Sequence, residues 1–239
     1  MHSQELKSLT ATLLRNSFLA SYVSGRADEL PITRVSFDDF RVMIQGGFTE
    51  TLQEEDVQYM FASYNEEAQS NKIRTVMVEM AICRNVEAVD FYLTQMLRKM
   101  YTQRPEVLKA KDFSVQMSEV LQCSTIDEVI LRVADRKIQE LSYRGLSDII
   151  KYLNSIHGLN YDTTKSSYIN AQEVFQTRNI IVHNADIVNE VYLKNTTRTD
   201  LKVGEVYPLT DKYLVSTTAS LIIFTIDLDK QFVSHFKIS

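Results

Sequence analysis

Glycine and proline are scarce, with 6 Gly and 3 Pro among 239 residues. So few breakers leave long stretches free to run as uninterrupted helix, which favours a mostly helical chain. Cysteine is nearly absent. Cys83 and Cys123 show no metal-ligand spacing, which argues against a zinc site and a disulfide framework and makes a reducing cytoplasm the simplest expectation. Positive charge is not in excess. The net charge of −5 argues against a broad cationic surface that binds nucleic acid by neutralising phosphates, and leaves room for a small basic cleft acting on RNA transiently. The longest apolar run, Ala219 to Ile226, is far short of the roughly 20 residues that span a bilayer. No basic segment followed by an apolar one marks the start of the chain, as a secretory signal would require. No His/Asp/Glu cluster has metal-site spacing, so no metal and no cofactor is expected. The expectation is a soluble, cytoplasmic protein without a membrane partner.

What remains is enough for a substantial core, with 44% hydrophobic and 24% charged residues. Apolar spacing predicts an amphipathic helix over 5–24, carrying Leu6, Leu9, Leu13, Leu14, Phe18, Leu19 and Tyr22. Ser36-Phe37-Asp38-Asp39 opens a short helix that Gly46-Gly47 stops, its two acids being N-terminal residues on a solvated face. Thr51 with Glu54 forms a capping box for a helix over 52–69, and Asn71 marks a break. A long helix is predicted over 72–103, with Met77, Met80, Val89, Leu93, Met96 and Met100 inward, ended by Arg104-Pro105. Further helices are expected over 114–121, 126–143, 146–156, 171–184 and 211–234, with Gly158 a C-cap and Asn170 with Glu173 an N-cap pattern. His157 and His235 read as helix-end and surface residues, and Asp227 and Asp229 as solvated. The fold class is therefore all-α: a helical bundle at 71–239 preceded by a helical extension at 1–70.

One stretch departs from ordinary core composition. Arg178-Asn179-Ile180-Ile181-Val182-His183-Asn184 places four polar residues within an apolar run. Polar groups buried without partners destabilise a fold, so this face is either half exposed or serves a purpose. At about 100° and 1.5 Å per residue, Asn179 and His183 lie one turn apart on one face, where the amide can orient the imidazole. Arg178 precedes His183 by about 7.5 Å of rise and roughly 140° of turn. Sharing a site with His183 requires a distorted helix or a second helix closing the cleft. Arg178 also lies in line with the apolar Val174 and Ile181, where a guanidinium needs an anionic partner.

Arg178-Asn179-x-x-x-His183 resembles the Arg-x4-His signature of the HEPN superfamily, helical domains of prokaryotic toxin and defence systems. The run VFQTRNIIVHNADIVNEVYL is similar to one branch in which Asn184, Asp186, Asn189 and Tyr192 follow the motif. RPEVLKAKDFSVQMSEVL, LSYRGLSDIIKYLNSIHGL and LKVGEVYPLTDKYL resemble the same branch, so the likeness spans roughly residues 75 to 235 and excludes the first 70. It implies a HEPN-like bundle acting as a metal-independent endoribonuclease, with two motif helices meeting at a homodimer interface. Glu87 falls near a glutamate of that branch. Arg178, Asn179 and His183 are then the catalytic candidates, with Asn184, Asp186 and Glu87 supporting. Some HEPN toxins carry His-x-Tyr, whose tyrosine a partner antitoxin modifies. Here Asn184 and Ala185 follow His183, so that regulation does not carry over.

The chemistry fits these residue types. Attack of an RNA 2′-hydroxyl on phosphorus needs a proton acceptor, a proton donor and a cation on the phosphorane oxygens. Histidine titrates near neutrality and arginine holds two phosphate oxygens at once. Arg132, Arg136, Lys137 and Arg144 on one helical segment are the candidate RNA-binding surface. Two other classes compete: a non-catalytic HEPN module binding a nucleotide, RNA or protein partner, and a structural helical subunit. An antitoxin or sensor partner is compatible with the first two.

Overall fold

The motif helix belongs to a bundle built on two long helices. The computed structural model describes residues 3–25, 36–45, 53–69, 72–109, 115–142 and 144–238. Helix α1 spans Gln4–Gly25, α2 Phe37–Gln45, α3 Glu54–Gln69 and α4 Lys72–Gln103. A 3-10 turn at Pro105–Lys109 leads to α5 (Met117–Val120), α6 (Ile126–Ser142) and α7 (Leu146–His157). The chain closes with α8 (Ser166–Asn184), α9 (Glu190–Asn195) and α10 (Asp211–Phe236). Among the described residues the fold is all-α, its one extended pairing being the antiparallel bridge between Ile187 and Val206. No described helix is long and apolar enough to cross a membrane.

Local chemistry sets most of these limits. Helix α4 stops before Arg104, whose successor is Pro105. Gly158 adopts φ 66° and its N–H reaches Asn154 O, the left-handed C-cap that glycine accepts without strain. The Thr210 hydroxyl accepts from Tyr213 N at 3.1 Å and starts α10. Ser36 and Asp39 cap α2, whereas Thr51, Gly46-Gly47, Asn71 and the start of the 114–121 helix lie outside the described residues. Helix α8 begins at Ser166 rather than at 171, so Asn170 and Glu173 lie inside it. Tyr168 and Ala171 are buried in the core, and that burial outweighs the local N-cap pattern.

One core joins α1, α4, α6, α7, α8 and α10. It includes Leu6, Leu9 and Leu13 of α1, Leu93, Met96 and Met100 of α4, Val174 and Phe175 of α8, and Leu221, Phe224 and Leu228 of α10. Each such side chain contributes about 1.5–3 kcal/mol on burial. Residues 1–70, expected as an extension, divide by role: α1 is built into this core, while α2 packs on α3. The apolar stripes are narrower than their sequence pattern. Leu14, Phe18, Leu19 and Tyr22 of α1 and Met80 of α4 face solvent.

Two buried polar groups tie the layers. Asn85, only 1% exposed, donates to Ser17 Oγ and Thr218 Oγ1, each at 3.1 Å, and accepts from Asn16 Nδ2 at 3.2 Å. Asp229 is fully buried, which corrects its reading as solvated. It lies one residue after Leu228 and three before Phe232 on the inward stripe of α10, and accepts from Ser3 Oγ at 2.6 Å and Tyr92 Oη at 3.0 Å.

Candidate functional site

Helix α8 and the segment behind it fix the motif. Ala185 and Asp186 both take left-handed backbone, φ 49° and 63°, and Asp186 N bonds Ile180 O, so the chain reverses sharply after Asn184. Aspartate tolerates that basin better than most residues, which suits Asp186 to the turn. Asn184 Nδ2 donates to Ile187 O at 2.5 Å, and Tyr207 N donates to Asp186 O at 2.8 Å. Ile180, Val188, Tyr192 and Tyr207 form a second apolar cluster that clamps this segment onto α8. Arg198 adds a polar clamp, bonding Glu173 Oε1 at 2.9 Å and Tyr207 Oη at 2.7 Å.

His183 is exposed, and among the described residues its ring has no hydrogen bond or ion pair. Arg178 is half-buried. Its Nε is buried with no partner, and its Nη1 donates to Asn179 Oδ1 at 3.3 Å. The Asn179 carbonyl thus engages the guanidinium beside it rather than the imidazole a turn later. A guanidinium is acceptor-free and rigidly forked, so an unpaired buried Nε is an unmet demand for an anion.

Opposite α8 runs a stripe of α4 that sequence reasoning reached only at Glu87. Glu79, Cys83, Glu87 and Asp90 recur at intervals of four, four and three, one face of a helix. Burial pushes Asp90 up to about 6 while the charge of Arg178 opposes the rise, so Asp90 lies in the field of the motif arginine. Burial also raises the Cys83 thiol, again against Arg178. Glu79 is pushed up to about 7 by burial and by a hydrogen bond with Asp186. Two carboxyls in contact need one shared proton. Asp186 Oδ1 is buried with no donor, and burial raises that group too. The site therefore combines a cation with carboxyls that hold protons unusually tightly. Acids at 79, 87 and 90, spaced eight and three apart on one face of a mostly apolar helix, are the sequence signal that would have found Glu79 and Asp90. Among the described residues no group of three or more His, Cys, Asp or Glu is placed to hold a metal ion.

The remaining candidates lie elsewhere. Arg84 Nη1 holds Glu87 Oε2 at 2.8 Å, an exposed pair. On α6, Arg136 meets Glu119 at 3.1 Å, Lys137 and Arg144 both meet Glu140, and Arg132 meets Gln122 at 3.2 Å. That surface is laced with its own acceptors, as in an ordinary solvated helix face. His157 Nε2 contacts Tyr152 Oη at 3.2 Å, and the ring of His235 donates to His157 O at 2.9 Å, which gives both histidines a structural setting. No protein-family model, curated protein or solved structure matches this chain.

The Glu79–Asp186 contact predicts a pH dependence of stability. Glu79 holds its proton up to about 7 in the fold, against an ordinary 4.5. Between those values the folded chain carries a proton that the unfolded chain has released, so this group's contribution to stability declines as pH rises. Thermal melting from pH 5 to 8 is expected to show a shallower decline for Glu79→Gln than for wild type. Parallel curves would remove the shared-proton account.

Proposed function

We propose that the chain is a metal-independent endoribonuclease of HEPN type, with Arg178 and His183 as its central residues. The observation that carries this reading is that α8 presents, among the described residues, a half-buried guanidinium whose Nε has no hydrogen-bond partner and an exposed imidazole that has none either. A structural subunit would bury both and satisfy them locally. In the reaction the 2′-oxygen forms a bond to phosphorus as the bond to the 5′-oxygen breaks. The 2′-hydroxyl proton passes to a base, and a proton from an acid goes to the leaving oxygen. The products are a 2′,3′-cyclic phosphate and a 5′-hydroxyl. His183 serves one proton transfer, and Arg178 holds the phosphorane oxygens. A second copy of the chain brings a second His183 for the other transfer and closes the cleft that one helix leaves open, since the two residues point roughly 140° apart. Glu87 and Asp186 are supporting candidates, and Asn179 orients the guanidinium through its carbonyl. The setting proposed is phage defence or toxin action in the cytoplasm.

The alternative, a non-catalytic HEPN module, draws on the same cation, because an acid-rimmed arginine binds a phosphate without turning it over. Incubation of the purified protein with several RNAs in EDTA decides between them. Fragments ending in a 2′,3′-cyclic phosphate support the enzyme. RNA retained on the protein and recovered intact supports the module.

A further inference from the structure

A groove of about 750 Å³ lies between α1 and α4, away from Arg178 and His183. The two helices run antiparallel, since Glu5 meets Lys99 at one end and Asn16 meets Asn85 at the other. Arg15 adjoins Asn16 and Arg84 adjoins Asn85, so both guanidiniums stand at the same end of the groove. Its acids are already engaged: Glu5 by Lys99 Nζ at 3.1 Å and Glu87 by Arg84 at 2.8 Å. Arg15 is exposed and, among the described residues, has no hydrogen bond or ion pair. The groove thus carries one uncompensated cation. Further along α4, about 10 Å from Arg84 by helical rise, Phe91 lines the groove and is 66% exposed. Leu9 supplies apolar floor, and the amides of Asn16 and Gln95 offer donors and acceptors on either side.

An aromatic face, a nearby cation and flanking amides are the elements that hold a base, its phosphate and its polar edges. We infer that this groove binds a nucleoside phosphate, with the phosphates on Arg15 and Arg84 and the base stacked on Phe91. The ligand is a free nucleotide or one nucleotide of a single-stranded RNA, since both present the same chemistry. The site does not depend on the ribonuclease reading, because neither Arg178 nor His183 lines it; of the supporting candidates only Glu87 does, and Arg84 holds it.

Calorimetric titration of the full chain with ATP, adenosine, pyrophosphate and a 5′-phosphorylated RNA hexamer tests the inference. Saturable binding of ATP or the hexamer is expected, with Arg15→Ala and Phe91→Ala each weakening it about tenfold or more. Adenosine and pyrophosphate, each lacking half of the ligand, are expected to bind at least about tenfold more weakly than the intact nucleotide. Tighter binding of ATP identifies a free nucleotide as the occupant, and tighter binding of a hexamer that ATP displaces identifies RNA. Both side chains are exposed, so the variants are expected to melt as wild type does. No saturable binding of either ligand, or binding that both substitutions leave unchanged, overturns the inference. Loss of RNA cleavage in a His183 variant bears only on the motif site.

Discussion

Replacing His183 with alanine is expected to lower RNA cleavage in EDTA by about 10²–10⁴-fold, the range that positioned acid–base groups supply, while leaving the melting temperature unchanged. The second half of that expectation follows from the side chain's setting. His183 is exposed and contributes no hydrogen bond among the described residues, so its truncation removes no packing. Arg178→Ala is expected to cost about 10²–10³-fold through loss of the cation on the phosphorane oxygens. Arg178→Lys keeps the charge and loses the fork, and is expected to recover only part of the rate. Single-turnover cleavage by the three variants and wild type, matched for oligomeric state by light scattering, gives these ratios. Equal rates in all four would assign the activity to a contaminant and withdraw the two residues from the chemistry.

The sequence showed the helices more plainly than the faces they present. Scarce glycine and proline, together with the breaks at Asn71 and Arg104-Pro105 and the cap at Gly158, marked the limits of α4 and α7 to within a few residues, and apolar spacing did so for α10. Periodicity overstated the core. Met80 and Phe18 continue apolar stripes yet face solvent, because a stripe shows what a helix can bury and not how far its neighbours reach. Asp229 is the opposite case: a carboxylate with apolar neighbours that reads as solvated until Ser3, more than 200 positions away, is seen to be its partner. The motif stood out because polar residues interrupted apolar sequence. Its surroundings did not, since Glu79 and Asp90 gain their unusual proton affinity from burial against α8, a tertiary effect. Asn179 shows the limit of helical spacing. One turn from His183 was the right distance for a contact, and the amide chose its immediate neighbour instead.

Asp229 carries the largest expected effect on stability. It is fully buried, and its two oxygens accept from Ser3 N at 3.2 Å, Ser3 Oγ at 2.6 Å and Tyr92 Oη at 3.0 Å. One side chain of α10 therefore anchors the start of α1 and the middle of α4. Asp229→Ala strands these donors in the interior, where each unsatisfied group costs about 1–3 kcal/mol. A total near 3 kcal/mol corresponds to a fall of about 6–12 °C in melting temperature for a chain of this size. Asp229→Asn keeps one acceptor but turns an NH2 towards a donor, and is expected to fall between alanine and wild type. Tyr92→Phe removes a donor rather than the acceptor, and is expected to cost only about 1 kcal/mol. Hydrogen exchange locates the damage. If Asp229 pins α1, its amides exchange faster in Asp229→Ala while those of α8 keep their protection. Uniform loss of protection would mean that the carboxylate supports the whole core rather than one helix. A release confined to α1 would also open the α1–α4 groove, so nucleotide binding there is expected to weaken in the same variant while Arg178 and His183 remain in place.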